Sequence, residues 1–397
     1  MAPKKSLFFA VTFVTCWFFG CHGEIKETTE TQLGMKYVVA LNPPDWLHRA
    51  ASLPEDTILG RILAELNTIP KAGQHPLAEF EAVSSAFADK LPLWFSESLN
   101  TGESGQTLDL LRKKFKQETL HLKQVLEKRL QGTDLTLVGI NTNQWDQIEV
   151  TVLAEDQEAL ERRVILPVGE IEFYETFTFE EMHPGVYALK DFYHWTDSTG
   201  VERDFLELLV DYDPVRKINH DLPPIEAGKP ILAFVHESRM KLVDSLLSTQ
   251  TAKDSLPYNL RFAWCKDAAE DWPAMYPLCG LKTSPEGKPR LGGSTILYAR
   301  HDFEVGSGMP MISLTMNDEG SAVWERVTRS NIGRQIAIVF DGVVYTYPTV
   351  QTEIVGGRSQ ITGNFTVEEA KNLAQVLQGG AYPAQPVIVS KSQVDTK

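Results

Sequence analysis

Positive charge and cysteine are what this chain has little of. Against 53 Asp and Glu it carries only 38 Lys and Arg, a formal net charge of −15. A protein that tracks phosphates needs a basic patch, so nucleic acid is not an expected partner. Electrostatic docking on anionic lipid is disfavoured for the same reason, and acidity is read as a device for solubility. Of the four cysteines, Cys265 and Cys279 have no nearby histidine to complete a zinc site. The nine histidines are scattered singly, and His236-Glu237 lacks a second His for a metal pair. There is no G-x-S-x-G elbow, no H-E-x-x-H and no Walker loop. Gly306-Ser-Gly308 lacks the third glycine of a dinucleotide motif. Glu180-Glu181 and Glu368-Glu369 read as solvated or capping carboxylates, since nothing in the sequence pushes their pKa values apart. No catalytic residue, metal or cofactor is expected, and the chain reads as a non-enzyme. No tandem repeat or low-complexity tract is visible, and after the first 20 residues no apolar run is long enough to span a bilayer.

What is present describes a folded, exported protein. An apolar content of 43% with 23% charge is that of a chain with a core, and 397 residues leave room for two or three domains. Lys4-Lys5 followed by the apolar run Ser6–Gly20 is a secretory signal pattern. Phe18-Phe19-Gly20-Cys21 resembles a loose bacterial lipobox, in which Cys21 is lipidated. Cleavage after Gly23 and an uncleaved anchor are the competing readings. Cys265 and Cys279 flank a segment containing Trp and Pro. In an oxidising compartment they form a disulfide worth about 3 kcal/mol, or else they are two buried thiols.

The clearest local signals lie between Met311 and Gly380. Met311–Met316 alternates as a strand does. Asn317 offers an N-cap oxygen, with Asp318 and Glu319 in the first turn of the helix that follows. Val323, Trp324 and Val327 form the apolar stripe of that helix. Ile336–Phe340 and Val343–Tyr347 are β-rich runs joined by Asp341-Gly342, the pair that a type I′ hairpin turn demands. Thr366-Val-Glu-Glu369 is a capping box, opening a helix that carries Val367, Ala370, Leu373, Ala374 and Leu377 on one face and stops at Gly379. The order β-α-β-β-β-α is that of a split βαβ unit. Gly356-Gly357 and Gly363 are positions for positive φ or close approach. Tyr345 and Tyr347 alternate with Val344 and Thr346, which offers an aromatic face for an extended polypeptide or packing between sheet and helix.

This stretch resembles the head of the first periplasmic domain of the SecD family, and most closely the fused SecDF of Bacteroidetes-type bacteria. The resemblance rests on SLTMNDEG (313–320, with Asn317 and Gly320), Trp324, and SNIGRQIAIVFDG (330–342, with Asn331, Gly333, Asp341 and Gly342). It continues through VYTYP (344–348) and GGRSQITGNFTVEEAKNLA (356–374, with Gly356, Gly357, Gly363, Asn364 and Phe365) to GGAYPAQ (379–385). Weaker echoes precede it in Leu33–Leu41 with Pro43-Pro-Asp-Trp-Leu47, in Leu122–Gly132, in Gln147–Ala154, in a helix over Asp156–Leu166 and in Gly169–Phe177. Together these earlier pieces give a second β-α-β-α-β unit. Between the two units, strands are expected at Val186–Phe192, Phe205–Tyr212 and Pro230–Val235, and a helix at Ser238–Ser248. Leu256–Trp264 looks like part of the family's larger insertion.

The expected fold is α+β, with two ferredoxin-like (split βαβ) subdomains, base and head, joined by a larger α/β insertion. The divisions are 1–23 (signal or lipoprotein anchor), 24–180 (base-like, with a helical insertion), 181–293 (insertion and connector), 294–388 (head-like) and 389–397 (tail). The family's membrane helices carry the proton path, and buried acidic groups are needed to move protons. No such run follows here, so this chain is expected not to use the proton-motive force by itself. The resemblance implies assistance to Sec-dependent translocation by binding emerging or exported polypeptide. Implied partners are Sec translocon subunits or a separate membrane partner, with membrane attachment through the N-terminal segment. A periplasmic scaffold that reuses the fold and a split SecD subunit are the alternatives.

Overall fold

A computed structural model of the chain describes residues 32–396, apart from 72, 100–103, 132, 134, 154–156, 197–199, 201, 210–224 and 271. The expected signal segment with Cys21 and the expected Asp156 cap lie outside the described residues. In chain order the elements that position the site are β1 (Gln32–Leu41), α1 (Pro43–Ala50), α2 (Ser104–Gln131), β2 (Thr136–Thr142), β3 (Ile148–Leu153) and β4 (Ile171–Thr176). They continue with α3 (Phe179–Ala188), β5 (Ile231–His236), α4 (Met240–Leu247), β6 (Leu260–Trp264), β7 (Met275–Lys282), β8 (Ile296–Phe303) and β9 (Pro310–Met316). The last are α5 (Asp318–Ser330), β10 (Ile336–Phe340), β11 (Val343–Thr346), β12 (Arg358–Ile361), α6 (Val367–Gly379) and β13 (Pro386–Thr396). The architecture is α+β, and every strand pair in these sheets is antiparallel.

The first sheet has the order β13-β1-β3-β2. Met35, Tyr37, Val39 and Leu41 of β1 are buried at period two, so one face of the strand is committed to the core. Leu111, Phe115, Leu122, Val125, Leu126 and Leu130 line one face of α2 and fill the same core. At 28 residues this helix is about 42 Å long. Residues 386–396, most of which fall in the expected tail (389–397), pair with β1 from Leu41↔Pro386 out to Gln32↔Thr396. The C-terminal segment is thus a full strand of the first sheet.

The expected base strand Gly169–Phe177 corresponds to β4, whose partners are β10 and β7 and not the first sheet. The reason is burial. Ile171 and Phe173 face one core, while Tyr174 faces another, so the strand suits a sheet that is covered on both faces. The second sheet runs β11-β10-β4-β7, with β5 and β6 also paired to β7. Just past β6, Cys265 forms a parallel bridge with Val344, and Lys266 N–H donates to Val344 O at 2.8 Å. The sheet therefore closes on itself around Tyr174, Ala263, Cys279, Leu281, Ala337 and Val339.

The order expected after Met311 is present, but its strands divide between two sheets. β9 and β12 join β8 in a three-stranded sheet, while β10 and β11 belong to the second. Asp341 (φ 49°) and Gly342 (φ 81°) make the expected tight turn. Asn317 accepts from Gly320 N–H at 2.7 Å, and the Thr366–Glu369 capping box is made in both directions. In the middle of the chain, Pro230–Val235 is β5 and Ser238–Ser248 contains α4. Val186–Phe192, expected as a strand, is instead the end of α3 and a 3-10 turn. The Thr178–Glu181 capping box that starts α3 outweighs the β-rich composition downstream. Phe205–Leu208 is likewise a 3-10 turn, and 210–212 fall outside the described residues.

Candidate functional site

A buried cation ties the two units together. Arg129, in the last turn of α2, is 1% exposed. Its Nη1 donates to the carbonyls of Pro167 (2.6 Å) and Val164 (3.4 Å), and its Nη2 to those of Val168 (2.7 Å) and Gly380 (2.6 Å). The guanidinium lies 3.8 Å over the Tyr382 ring, whose hydroxyl donates to Val164 O at 3.2 Å. Burial pulls the Arg129 pKa below its ordinary value, while Tyr382 and Asp341 act against that pull. A Cβ on Gly169, where φ is +84°, would sit 2.2 Å from Arg129 Nη2, so only glycine fits there. On the far side of Gly169, Asp341 Oδ1 accepts from Gly169 N–H and Glu170 N–H, both at 2.8 Å. Burial raises the Asp341 pKa, and those two N–H groups oppose the rise. Gln385 completes the joint by donating Nε2 to Leu166 O at 2.8 Å. The segment 164–170 is thereby held by α2, by the turn between β10 and β11, and by the chain leaving α6.

Beside this joint is a cavity of about 560 Å³ lined by Arg162, Arg163, Phe340, Tyr345, Glu369 and Leu373, among others. Tyr345 stands edge-on to Phe340 at 5.6 Å and stacks with Phe365 at 6.4 Å. Lys266 Nζ lies 5.6 Å from the Tyr345 ring and 2.7 Å from Glu369. Burial pushes the Tyr345 hydroxyl up to about 12. Tyr345 and Tyr347 do not share the face that their spacing implies. The pairing shifts between Ile338↔Thr346 and Val339↔Val344, so a bulge breaks the alternation. Tyr345 then packs on the core around Phe365 and Tyr347 on the core of the closed sheet. Both still border a second cavity of about 440 Å³, with Phe234, Asp267, Pro348 and Asn364.

The remaining motif residues build the core beneath these cavities. Trp324 packs against Phe173 at 5.1 Å and donates Nε1 to Ser359 Oγ at 2.6 Å. Asn331 donates Nδ2 to Glu175 at 3.0 Å and to Val327 O at 2.8 Å. Gly333 N–H reaches Val350 O at 2.8 Å. Gly356 and Gly357 both have positive φ, and a Cβ on Gly357 would lie 2.0 Å from Ser321 Oγ. Gly363 lies against the Phe365 ring. Gly320 lies against Thr295.

Residues 281–384 match the family described as SecDF, P1 head subdomain. The chain carries a SecD/SecDF head. A protein translocase subunit SecD from Rhodothermus marinus is 37% identical over 155 residues, which cover 38% of this chain and 24% of that protein. The SecDF subunit of Thermus thermophilus is 44% identical over 103 residues, 26% of this chain and 14% of that one. The chain thus spans about a quarter or less of these relatives. A SecDF crystal structure in a "Super-membrane-facing form" aligns with 70% of this chain and 28% of its own, at 22% identity and a TM-score of 0.40. Among the described residues, no helix is long and apolar enough to cross a membrane, and no group of three or more His, Cys, Asp or Glu is placed to hold a metal.

Cys265 and Cys279, just outside the head's own sheet, are held as buried free thiols, not as the disulfide. Ala263 stands opposite Cys279, and Cys265 N–H bonds Pro277 O. The two cysteines are therefore diagonal neighbours, roughly 7–8 Å apart, which is longer than most disulfides span. Burial pushes the Cys265 thiol up to about 12 and that of Cys279 well above its ordinary value.

Arg129 and Lys266 form no motif in the sequence, because the carbonyls that hold Arg129 and the Glu369 that holds Lys266 lie far away along the chain. Tyr382, in the head's closing motif, gives the joint a pH signature. Burial pushes its hydroxyl up to about 12, against about 10 in an unfolded chain. The unfolded state therefore loses its proton first, and stability contributed by this group falls as pH rises from 10 toward 12. Tyr382→Phe is expected to flatten the decline by up to about 1.4 kcal/mol per pH unit, read from urea unfolding at stepped alkaline pH. An unchanged slope would place the phenol in water.

Proposed function

We propose that this chain is a non-enzymatic SecD-like protein on the periplasmic side of the cell envelope, assisting Sec-dependent translocation by binding emerging or newly exported polypeptide. The observation that carries the reading is the Tyr345 cavity on a SecDF head: aromatic walls from Tyr345 and Phe340, with Tyr345 backed by the buried Phe365 ring, beside Glu369 of the Lys266–Glu369 ion pair. Aromatic surface with a polar rim holds unfolded chain without demanding one sequence. In the finer form of the proposal, a base faces the membrane and the translocon, and a ferredoxin-like head captures chain and hinders its return. The Arg129 joint fixes where that head stands. Membrane attachment is through the N-terminal segment, lipidated at Cys21 or otherwise anchored, and Sec subunits or a separate membrane protein supply directionality.

A photoreactive side chain at Tyr345 in growing cells tests this. Adducts with Sec channel subunits and with chains in transit are expected. Adducts confined to one unrelated envelope protein would mean that the fold serves as a scaffold. In vitro, Tyr345→Ala is expected to weaken binding of an unfolded model polypeptide about tenfold, the effect of about 1.4 kcal/mol.

A further inference from the structure

The outer strand of the head's three-stranded sheet is built to pair with itself. Among the described residues, β8 has β9 on one side and no strand on the other. Glu304 N–H bonds Met309 O across the hairpin, and pairing continues from Phe303↔Pro310 to Tyr298↔Thr315. Antiparallel alternation then turns the backbone groups of residues 300 and 302 toward β9 and those of Ala299, His301 and Phe303 outward. Pro310, which has no N–H, stands opposite Phe303, as that alternation requires. Exposed edges in soluble proteins are usually guarded by proline, by charged side chains or by a bulge, and here the bulge lies only at the start of the strand, between Ile296 and Tyr298. This edge has no proline, exposes Leu297 (68%), Tyr298 (47%) and Phe303 (47%), and carries charges of both signs in Arg300 and Asp302, 3.0 Å apart.

We propose that β8 pairs antiparallel with β8 of a second copy of this chain, about a two-fold axis at His301. In that register His301 meets His301 of the second copy, and Ala299 meets Phe303, so the outward N–H and C=O groups are all matched. Arg300 then faces Asp302 of the second copy, twice, at the non-hydrogen-bonded positions where side chains approach most closely. Sliding either way to the next register that keeps the outward groups aligned puts Arg300 opposite Arg300 or Asp302 opposite Asp302. Charge therefore selects one register and one partner. An extended peptide from another protein would satisfy the same backbone groups without using the paired Arg300 and Asp302. The interface is small and each chain carries a net charge of −15, so the dimer is weak and is best sought at physiological salt, where distant charges are screened.

Sedimentation of the full chain from micromolar to near-millimolar concentration is expected to show a monomer–dimer equilibrium. Arg300→Asp and Asp302→Arg should each weaken it about tenfold or more, and mixing the two variants should restore a heterodimer in which every charge is opposed. His301→Pro removes an outward N–H and fixes φ, changes that an edge strand tolerates where its N–H faces solvent, and it should abolish the dimer while leaving the thermal midpoint near that of the unchanged chain. A chain that stays monomeric throughout, a dimer that survives His301→Pro, or charge variants that do not complement each other would overturn the proposal. So would an edge that binds an unfolded peptide while the chain alone remains a monomer.

Discussion

Arg129→Ala is expected to lower the unfolding free energy by about 3–5 kcal/mol. The substitution strands the carbonyls of Pro167, Val168 and Gly380, each of which now accepts a bond of 2.7 Å or less. It also removes the cation from the Tyr382 ring and takes from the Asp341 carboxylate a positive charge that opposes the rise of its pKa. Lysine is expected to recover little, because one ammonium cannot reach both the carbonyls bound by Nη1 and those bound by Nη2. Urea unfolding of the Ala and Lys variants beside the unchanged chain gives the comparison. A loss under about 1 kcal/mol for Arg129→Ala would mean that segment 164–170 holds its course without the cation. A joint of this kind has a functional consequence too. If the joint sets where the head stands, the same variant should alter crosslinking from Tyr345 more than binding of a peptide to the isolated cavity walls.

The parts of the fold readable in advance are those whose causes lie within four residues. Asn317 caps α5 and Thr366 caps α6 because each side chain reaches a backbone N–H three residues on. Asp341-Gly342 turns because those residue types tolerate left-handed backbone. What stayed hidden was long-range pairing. Nothing in GEIEFYETF states that Phe173 will stand opposite Ile338, nor in the last ten residues that they will run beside β1. The joint was hidden for a sharper reason. Arg129 binds carbonyl oxygens, which every residue possesses, so its partners leave no mark in the sequence. The bulge at Tyr345 was hidden as well, because counting by twos cannot detect one, although Tyr345 and Tyr347 still border one cavity.

Trp324→Ala is expected to cost about 3–5 kcal/mol, the range for truncating a large buried aromatic. The indole is 5% exposed and joins two sheets, with its ring on Phe173 of β4 and its N–H on Ser359 of β12. Trp324→Phe separates the two contributions. It keeps much of the apolar volume but leaves Ser359 Oγ without its donor, so a loss of about 1–3 kcal/mol is expected. Trp324→Phe combined with Ser359→Ala should recover part of that loss, because a buried hydroxyl with no partner costs more than a methyl in its place. Calorimetric or urea unfolding of the three variants reads the series directly. If the double variant is no more stable than Trp324→Phe alone, water reaches Ser359, and the seam between β4 and β12 is wetter than its packing implies. If it recovers, the head depends on a dry contact between the strand that precedes the insertion and the sheet that follows it. Truncating the head at residue 281 would then leave it without the Phe173 wall against which Trp324 packs.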